Sequence, residues 1–587
     1  MASSNRHFIS DPTHLITTAL HSHTLTNPSL THHRTNRILS RPPSSTVGLI
    51  SGGGSGHEPS FAGFVGEGLL SASVAGSLFA SPSAEQVSQA IRLVAAGNGG
   101  RGVCVVVMNY TGDVLNFGLA VEKAKARGEK VELVVVGDDV GVGREQGGKV
   151  GRRGIAGTCL VLKIVGALAG TGADLESVVD VARLVAANTV SIGASLAHVH
   201  VPGRDESNED DLKSNEVELG MGIHNEAGSA RLKDADLPTL VKTMLAHLLD
   251  QSDKDRAFLK IDSQDSVVLM INNLGGVSVL EMGGIATEVA DQLEKSWKIK
   301  PVRVLVGTYM TSLNGLGFSI SLLKVMDTGL GNGKSMIELL DSPAEAIGWS
   351  APIKKETWTS KRINAAKEQV QEFEVKPANF KIKYARSVTA LTSGLRAVIK
   401  AEPDITNYDT VVGDGDCGIG LKRGAEGILE MLKDAEPTDD IAIFLDRIIQ
   451  VVESAMDGTS GALYAIFLNT LAQNIRKQSP DKAEDMQLGI WAKALEPSLS
   501  ALGKYTPAKV GDRTLVDALE PFISTLSHYG SIDRAAQAAA TGAEKTKSMK
   551  ASLGRSVYVS GERWDTVPDP GAYGLAVFLQ GLADGLK

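Results

Sequence analysis

The densest chemistry in the chain lies in Asp409-Thr-Val-Val-Gly413-Asp414-Gly415-Asp416-Cys417-Gly418. Three carboxylates share this short loop. Two carboxylates about 4 Å apart repel by roughly 4 kcal/mol at an effective dielectric near ~20. Three must therefore be solvated, protonated or bound to cations. Gly413, Gly415 and Gly418 allow tight bends and the close approach of a ligand. A hard cation such as Mg²⁺ takes carboxylate oxygens and brings substrate phosphates with it. A calcium EF-hand loop is excluded, because Gly418 and Ile419 would stand where it needs an oxygen ligand and a glycine. A metal–phosphate site and a solvated acidic turn remain.

The amino-terminal half carries a second set of candidates. A β-branched run ends in Ser51-Gly52-Gly53-Gly54-Ser55-Gly56-His57-Glu58-Pro59. The third glycine of a dinucleotide fingerprint is missing, and no Gly-Lys-Ser/Thr of a P-loop follows. Backbone N–H groups of such a loop can still hold a small oxygenated ligand, with His57 beside it. Another run ends in Met108-Asn109-Tyr110-Thr111-Gly112-Asp113, and a third loop reads Ser195-Leu-Ala-His198-Val-His200-Val-Pro-Gly203. A lone histidine is more often a packed structural residue. Two histidines and an aspartate on loops that could converge suit nucleophilic and acid–base catalysis.

These residues need elements to position them. Apolar runs at 46–50, 102–107 and 130–136 alternate with helical patterns at 83–96 and 115–125, which implies a mostly parallel sheet. Ligands collect beyond the carboxyl ends of such strands. Runs at 266–272 and 302–306 suggest a second α/β lobe ending near Ser350-Ala-Pro352. A charged, polar stretch from Lys354 to Pro377 reads as a linker. From about Ile382 the pattern turns helical. Thr438-Asp439-Asp440 caps a segment with Ile441, Phe444, Leu445, Ile448, Ile449 and Val452 on one face. The expected fold is a two-lobed α/β domain over 1–352, a linker over 353–381, and an all-helical antiparallel barrel or bundle over 382–587.

With 587 residues, the chain exceeds a single core. It is 43% hydrophobic and 22% charged, with a net charge of −9. The absence of a long basic run argues against nucleic acid or an anionic membrane as partner. Cys104, Cys159 and Cys417 are too few and scattered for a disulfide framework, which suits a reducing, cytoplasmic interior. No apolar run long enough for a membrane span is found. The first 45 residues lack the apolar core of a signal peptide. His7, His14, His21, His23, His32 and His33 fit no zinc spacing and read as a solvated, partly helical lead-in. The chain ends Gly-Leu-Lys, not in a peroxisomal Ser-Lys-Leu.

In order, the His57 loop, Asn109-Tyr-Thr-Gly-Asp113, His200-Val-Pro-Gly, Glu218-Leu-Gly-Met-Gly-Ile-His224-Asn-Glu and Gly413-Asp-Gly-Asp-Cys-Gly resemble the single-chain, ATP-dependent dihydroxyacetone kinases of eukaryotes. The resemblance runs from about residue 6 to the end. It implies a substrate-binding α/β domain followed by a helical nucleotide domain. It also implies phosphoryl transfer from ATP to dihydroxyacetone, and to glyceraldehyde. A histidine at the position of His200 would add to the ketone carbon as a hemiaminal, which glycerol, lacking a carbonyl, cannot form. Asp113 would be the general base, with His57 assisting, and Gly53, Gly54, Ser55 and Gly56 would line the substrate. His198 and His224 read as structural, His224 bracing its turn. The family's usual lysine before Asn109 is Met108 here, which supplies no strong donor, so affinity or substrate range is expected to differ.

In the carboxyl-terminal half the resemblance assigns Asp409, Asp414 and Asp416 to two Mg²⁺ that bridge the ATP phosphates. About seven negative charges from ATP and the aspartates then fall to about three. Cys417, Gly418, Ile419, Gly420, Thr459, Ser460, Arg513, Asp569, Pro570 and Gly571 are expected around the nucleotide. Arg513 has an alternative as a salt-bridge partner of Asp512 or Asp517. Ile419 and Gly420 replace threonines found in many relatives, so only backbone contacts are expected there. Family members are homodimers, and a homodimer is expected. Two alternatives are a Mn²⁺-dependent lyase that forms cyclic FMN from FAD, and an inactive regulatory relative. The presence of all three aspartates and His200 speaks against the last.

Overall fold

The computed structural model describes residues 7–9, 12–202, 212–350, 353, 357–358, 376–456, 458–553 and 564–587. Contacts divide the chain into two compact units, Met1–Ala365 and Ala366–Lys587. Most of the expected linker lies outside the described residues.

The first unit holds two six-stranded sheets. One runs β1 (Thr31–His33), β2 (Ile38–Ser40), β4 (Ala72–Leu78), β3 (Gly48–Ser55), β5 (Val103–Met108), β6 (Val131–Val136). Strands β3 to β6 are parallel, and β1 and β2 add an antiparallel edge. The polar lead-in is thus part helix, Leu15–Thr26, and part sheet. β1, at the outer edge, is exposed to half-buried, which lets so polar a segment serve there. The other sheet runs β11 (Arg303–Gly307), β10 (Val267–Asn273), β12 (Gly317–Lys324), β7 (Thr189–Ser195), β8 (Glu216–Leu219), β9 (Ala230–Lys233). Only its β10–β11 pair is parallel.

One core joins the sheets: Cys104, Val106 and Met108 of β5 share it with Val268 and Met270 of β10. The helix Gly157–Gly170 supplies much of it, and every residue from Gly157 to Ala169 is buried. A helix apolar all round belongs in such a place. Its exception, Lys163, donates Nζ–H to the Leu339 carbonyl at 2.9 Å, and burial pushes its ammonium down to about 8.

The glycine-rich run is mostly strand rather than loop. Gly52 to Gly54 belong to β3, with a bulge between Gly53 and Ser55. A Cβ on Gly52 would lie 2.2 Å from the Val74 carbonyl oxygen, and one on Gly54 2.7 Å from the Ala80 nitrogen. These glycines let β3 and the β4 segment approach. Gly53 differs: its nearest neighbours are Phe61 at 3.4 Å and the Asp113 carboxylate at 3.7 Å.

The second unit has eight α-helices among the described residues: Tyr384–Val412, Cys417–Asp434, Ile441–Ala455, Gly458–Arg476, Leu488–Leu502, Val516–Tyr529, Ile532–Lys545 and Pro570–Asp584. Each packs on the next, and the last packs on the first, closing a barrel. A two-residue parallel ladder, Phe380–Lys381 with Glu484–Asp485, is its one departure from helix among the described strands. Asp440 caps its helix as expected, accepting from the N–H groups of Ala442 and Ile443. Every second connection of an up-and-down barrel lies at the same end. That end collects 413–416, Met456 and Gly458, the 511–515 loop and Pro568-Asp569.

Gly52→Ala is expected to lower stability by about 1–3 kcal/mol through overpacking, read as an earlier urea midpoint. Gly53→Ala should unfold close to the wild-type midpoint.

Candidate active site

In the first unit, loops beyond β3 and β5 meet loops from the other sheet. Beyond β3, Gly56 and His57 are stitched to 311–313: Leu313 N–H donates to the Gly56 carbonyl at 2.7 Å and Thr311 N–H to the His57 carbonyl at 3.2 Å. Asn272, at the end of β10, orders that partner loop by accepting from the N–H groups of Tyr309 and Met310. His57 is fully buried. Its Nδ1 lies 2.8 Å from the Thr311 carbonyl oxygen, which only accepts, so Nδ1 carries a proton. Its Nε2 lies 3.0 Å from His224 Nε2. Burial, with the charge of His224 adding, pushes His57 down to about 3.

His224 sits on a turn after β8. Its Nδ1 is 3.0 Å from Glu226 Oε1, and its backbone N–H donates to Glu226 Oε2 at 2.9 Å. Burial works against the Glu226 carboxylate, but hydrogen bonds and charge from His224 hold it down to about 2. Tyr110 and Phe79 pack edge-on against the His224 ring, with centroids at 4.7 and 5.2 Å.

Asp113, in the first turn of the helix Thr111–Ala126, completes the cluster. Burial pushes its carboxyl up, opposed by the Ser81 hydroxyl and by His224. Among the described residues, its Oδ1 and the Tyr110 hydroxyl are buried without hydrogen-bond partners. Each such atom costs about 1–3 kcal/mol, and both suit the hydroxyls of a small polyol. Gly53 faces Asp113 across this space.

Other expected residues are placed differently. His200 stacks on His7, with centroids at 5.3 Å and Nδ1 3.2 Å from His7 Nε2. Among the described residues, no hydrogen bond or ring contact joins His200 to His57 or Asp113. Asn225 accepts from Val199 N–H and donates to its carbonyl, fixing that loop through its middle residue. His198 pairs with buried Glu218 at 3.1 Å. His224, read from sequence as a brace, is the histidine beside His57. Met108 is buried in the core between the sheets, so its position offers packing rather than a polar contact. The Ser55 hydroxyl donates to the Gly76 carbonyl, and Gly56 N–H donates to Glu58. Both serve the loop itself.

In the barrel unit, one carboxylate oxygen from each of Asp409, Asp414 and Asp416 lies within 4.8 Å of the others. Asp409 is buried and accepts from Cys417 N–H at 2.9 Å, while Asp414 and Asp416 are exposed. Gly415 has φ +79°, a conformation that favours glycine. A Cβ on Gly418 would lie 2.3 Å from Thr406 Oγ1, whereas one on Gly420 would meet open space. Ile419 is exposed. All-oxygen ligands with an open side suit Mg²⁺.

Three helix amino-termini gather here. Cys417, Thr459 and Ser460 stand in first turns, and Cys417 Sγ is 3.8 Å from Ser460 Oγ. Asp569 caps the third helix through Ala572 N–H, just before Pro570 and Gly571. Amino-terminal dipoles favour phosphate. Burial, with Asp517 and Asp409 adding, pushes Asp569 up to about 7 against Arg513. Arg513 is buried, and its guanidinium donates to the Val567 carbonyl at 2.9 Å. Asp517 instead accepts from Gly511 and Thr514 N–H, and Asp512 from Lys509 N–H and the Ser552 hydroxyl. The salt-bridge alternative with either is therefore not realised. Burial pushes the Cys417 thiol up to about 12.

Comparison with known proteins finds the same pairing of an α/β domain with a helical domain. A Dak1 domain profile matches residues 21–348, and a DAK2 domain profile matches 411–584. The dihydroxyacetone kinase of Pichia angusta is 44% identical over 590 residues, covering 95% of each chain. Dihydroxyacetone kinase 2 of Saccharomyces cerevisiae is 42% identical, covering 98% of this chain and 99% of that one. Human triokinase/FMN cyclase is 36% identical, covering 96% of each. The crystal structure of the dihydroxyacetone kinase from C. freundii in complex with AMP-PNP and Mg²⁺ aligns over 99% of both chains, at 31% identity and a TM-score of 0.62. The chain therefore belongs to the dihydroxyacetone kinase family.

Proposed function

We propose that this chain transfers the γ-phosphate of ATP to dihydroxyacetone, and to glyceraldehyde. The observation that carries the reading is the contact of buried His57 with half-buried His224 near the Asp113 carboxylate, in a chain that also holds a three-aspartate cup.

In this reading the covalent role falls to His224 instead of His200. His224 Nε2 bonds to the ketone carbon, and the carbonyl oxygen gains a proton delivered by His57. Glycerol offers no carbonyl and is rejected by chemistry. Asp113 takes the proton of the hydroxyl that attacks phosphorus. Gly53 leaves that hydroxyl room to reach Asp113. In the barrel, Asp409, Asp414 and Asp416 would hold two Mg²⁺. Bound there, Mg²⁺ neutralises phosphate charge during transfer. The backbone from Cys417 to Gly420, with Thr459, Ser460, Arg513 and 569–571, orients the triphosphate. Transfer requires a barrel unit to meet a substrate unit, and we assign that meeting to a homodimer. A second reading, suggested by the relative named triokinase/FMN cyclase, is a Mn²⁺-dependent lyase that forms cyclic FMN from FAD with loss of AMP.

An ADP-release assay tests the main reading: turnover with Mg²⁺ and dihydroxyacetone or glyceraldehyde, but not glycerol. Turnover of FAD with Mn²⁺ and none with the ketone would favour the second. Dihydroxyacetone labelled with ¹³C at its carbonyl should show a tetrahedral carbon on the wild type and on His200→Ala, and none on His224→Ala. A general base must be ionised, so activity falls as pH falls through the raised pKa of Asp113. The acid limb of kcat/KM should lie above the usual aspartate range, and Asp113→Asn should lose about 10²–10⁴-fold in kcat. Asp414→Ala should keep the tetrahedral carbon yet lose ATP turnover. Mixing it with His224→Ala should restore turnover if the site forms between two chains, and a mixture without activity would rule that arrangement out.

A further inference from the structure

Glu226 makes more contact with His224 than a brace needs. Its two oxygens take the ring Nδ1–H and the backbone N–H of the same residue. Arg153 fixes the turn from outside. Its Nη2 donates to the Gly220 carbonyl at 2.7 Å and pairs with buried Asp139 at 2.7 Å, while Nη1 stands 4.0 Å from Glu226 Oε2. Asp113, His57 and Tyr110 face the ring from the first sheet.

Counting protons along this line gives a definite arrangement. The Thr311 carbonyl requires a proton on His57 Nδ1. The Glu226 carboxylate requires one on His224 Nδ1. The two Nε2 atoms, 3.0 Å apart, would then present two lone pairs to each other. A third proton must lie between them. Two rings thus share three protons and one positive charge, balanced by Glu226. His57 is fully buried while the His224 ring is partly exposed, so the extra proton rests on His224.

Resting on the assignment of His224 as the carbonyl-capturing residue, we propose that Glu226 is a positioning residue that holds His224 as a doubly protonated ring and selects Nε2 as its reactive atom. The step then balances. The Nε2 proton passes to His57 Nε2. The freed lone pair bonds to the carbonyl carbon, the C=O π pair moves to oxygen, and His57 returns the proton to that oxygen. The His224 ring carries one positive charge before and after, and Glu226 faces it throughout. Capture creates no new buried charge.

The test is ¹⁵N NMR of the full chain labelled in histidine, with His224 identified by its loss in His224→Asn. The ligand-free wild type should show both His224 ring nitrogens protonated at neutral pH. One bare ring nitrogen there overturns the proposal and needs no folded variant of Glu226. In Glu226→Gln the ring should fall to one proton, and capture of ¹³C-labelled dihydroxyacetone should weaken by about tenfold or more, while nucleotide binding stays unchanged. Wild-type capture by Glu226→Gln also overturns it. If the wild type forms no tetrahedral carbon, the capture assignment fails, while the ring measurement still decides the proton arrangement.

Discussion

The contact between His57 and His224 is the constraint around which the first unit is built. One imidazole comes from the loop after β3, the other from a turn after β8 of the other sheet. Their 3.0 Å approach requires two sheets to hold register through a common core. It also requires backbone partners that place each ring: Thr311 for His57, Glu226 for His224. Buried polar groups so arranged are costly unless every member is satisfied. Asp113 Oδ1 and the Tyr110 hydroxyl are the members left over, on the side where Gly53 opens space.

The two units solve opposite electrostatic problems. The first gathers imidazoles with the carboxylates of Glu226 and Asp113 in a largely enclosed place. The barrel gathers carboxylates at an open rim, where dipoles of helix amino-termini point the same way. A ring closed by packing its last helix on its first brings alternate loops to one rim. Residues as far apart in sequence as Asp409 and Asp569 therefore interact.

Much of this was legible in the sequence, because it rests on local signals. β5, β6, β10 and β11 follow from β-branched runs, and the Asp440 cap from its side chain. The three aspartates stand out by their spacing, which left a metal–phosphate site and a solvated acidic turn both open. Two features were not legible. Gly52 to Gly54 look like a loop because glycine signals freedom, whereas here it permits close strand packing against Val74 and Ala80. His200 and His224 are equivalent in sequence terms, each a histidine in a glycine-containing turn. Asn225 fixes Val199 while Glu226 holds His224, and one ring lies against His7, the other against His57. That choice depends on a long-range pair, which no local pattern records.

Burial leaves a mark on the three thiols. Cys104, Cys159 and Cys417 are each pushed up to about 12. The thiolate, not the thiol, is the sulfur nucleophile. A chain that handles short sugars with free carbonyls exposes itself to self-modification, since thiolates form hemithioacetals readily. Keeping these three thiols protonated removes them from the pool of internal nucleophiles.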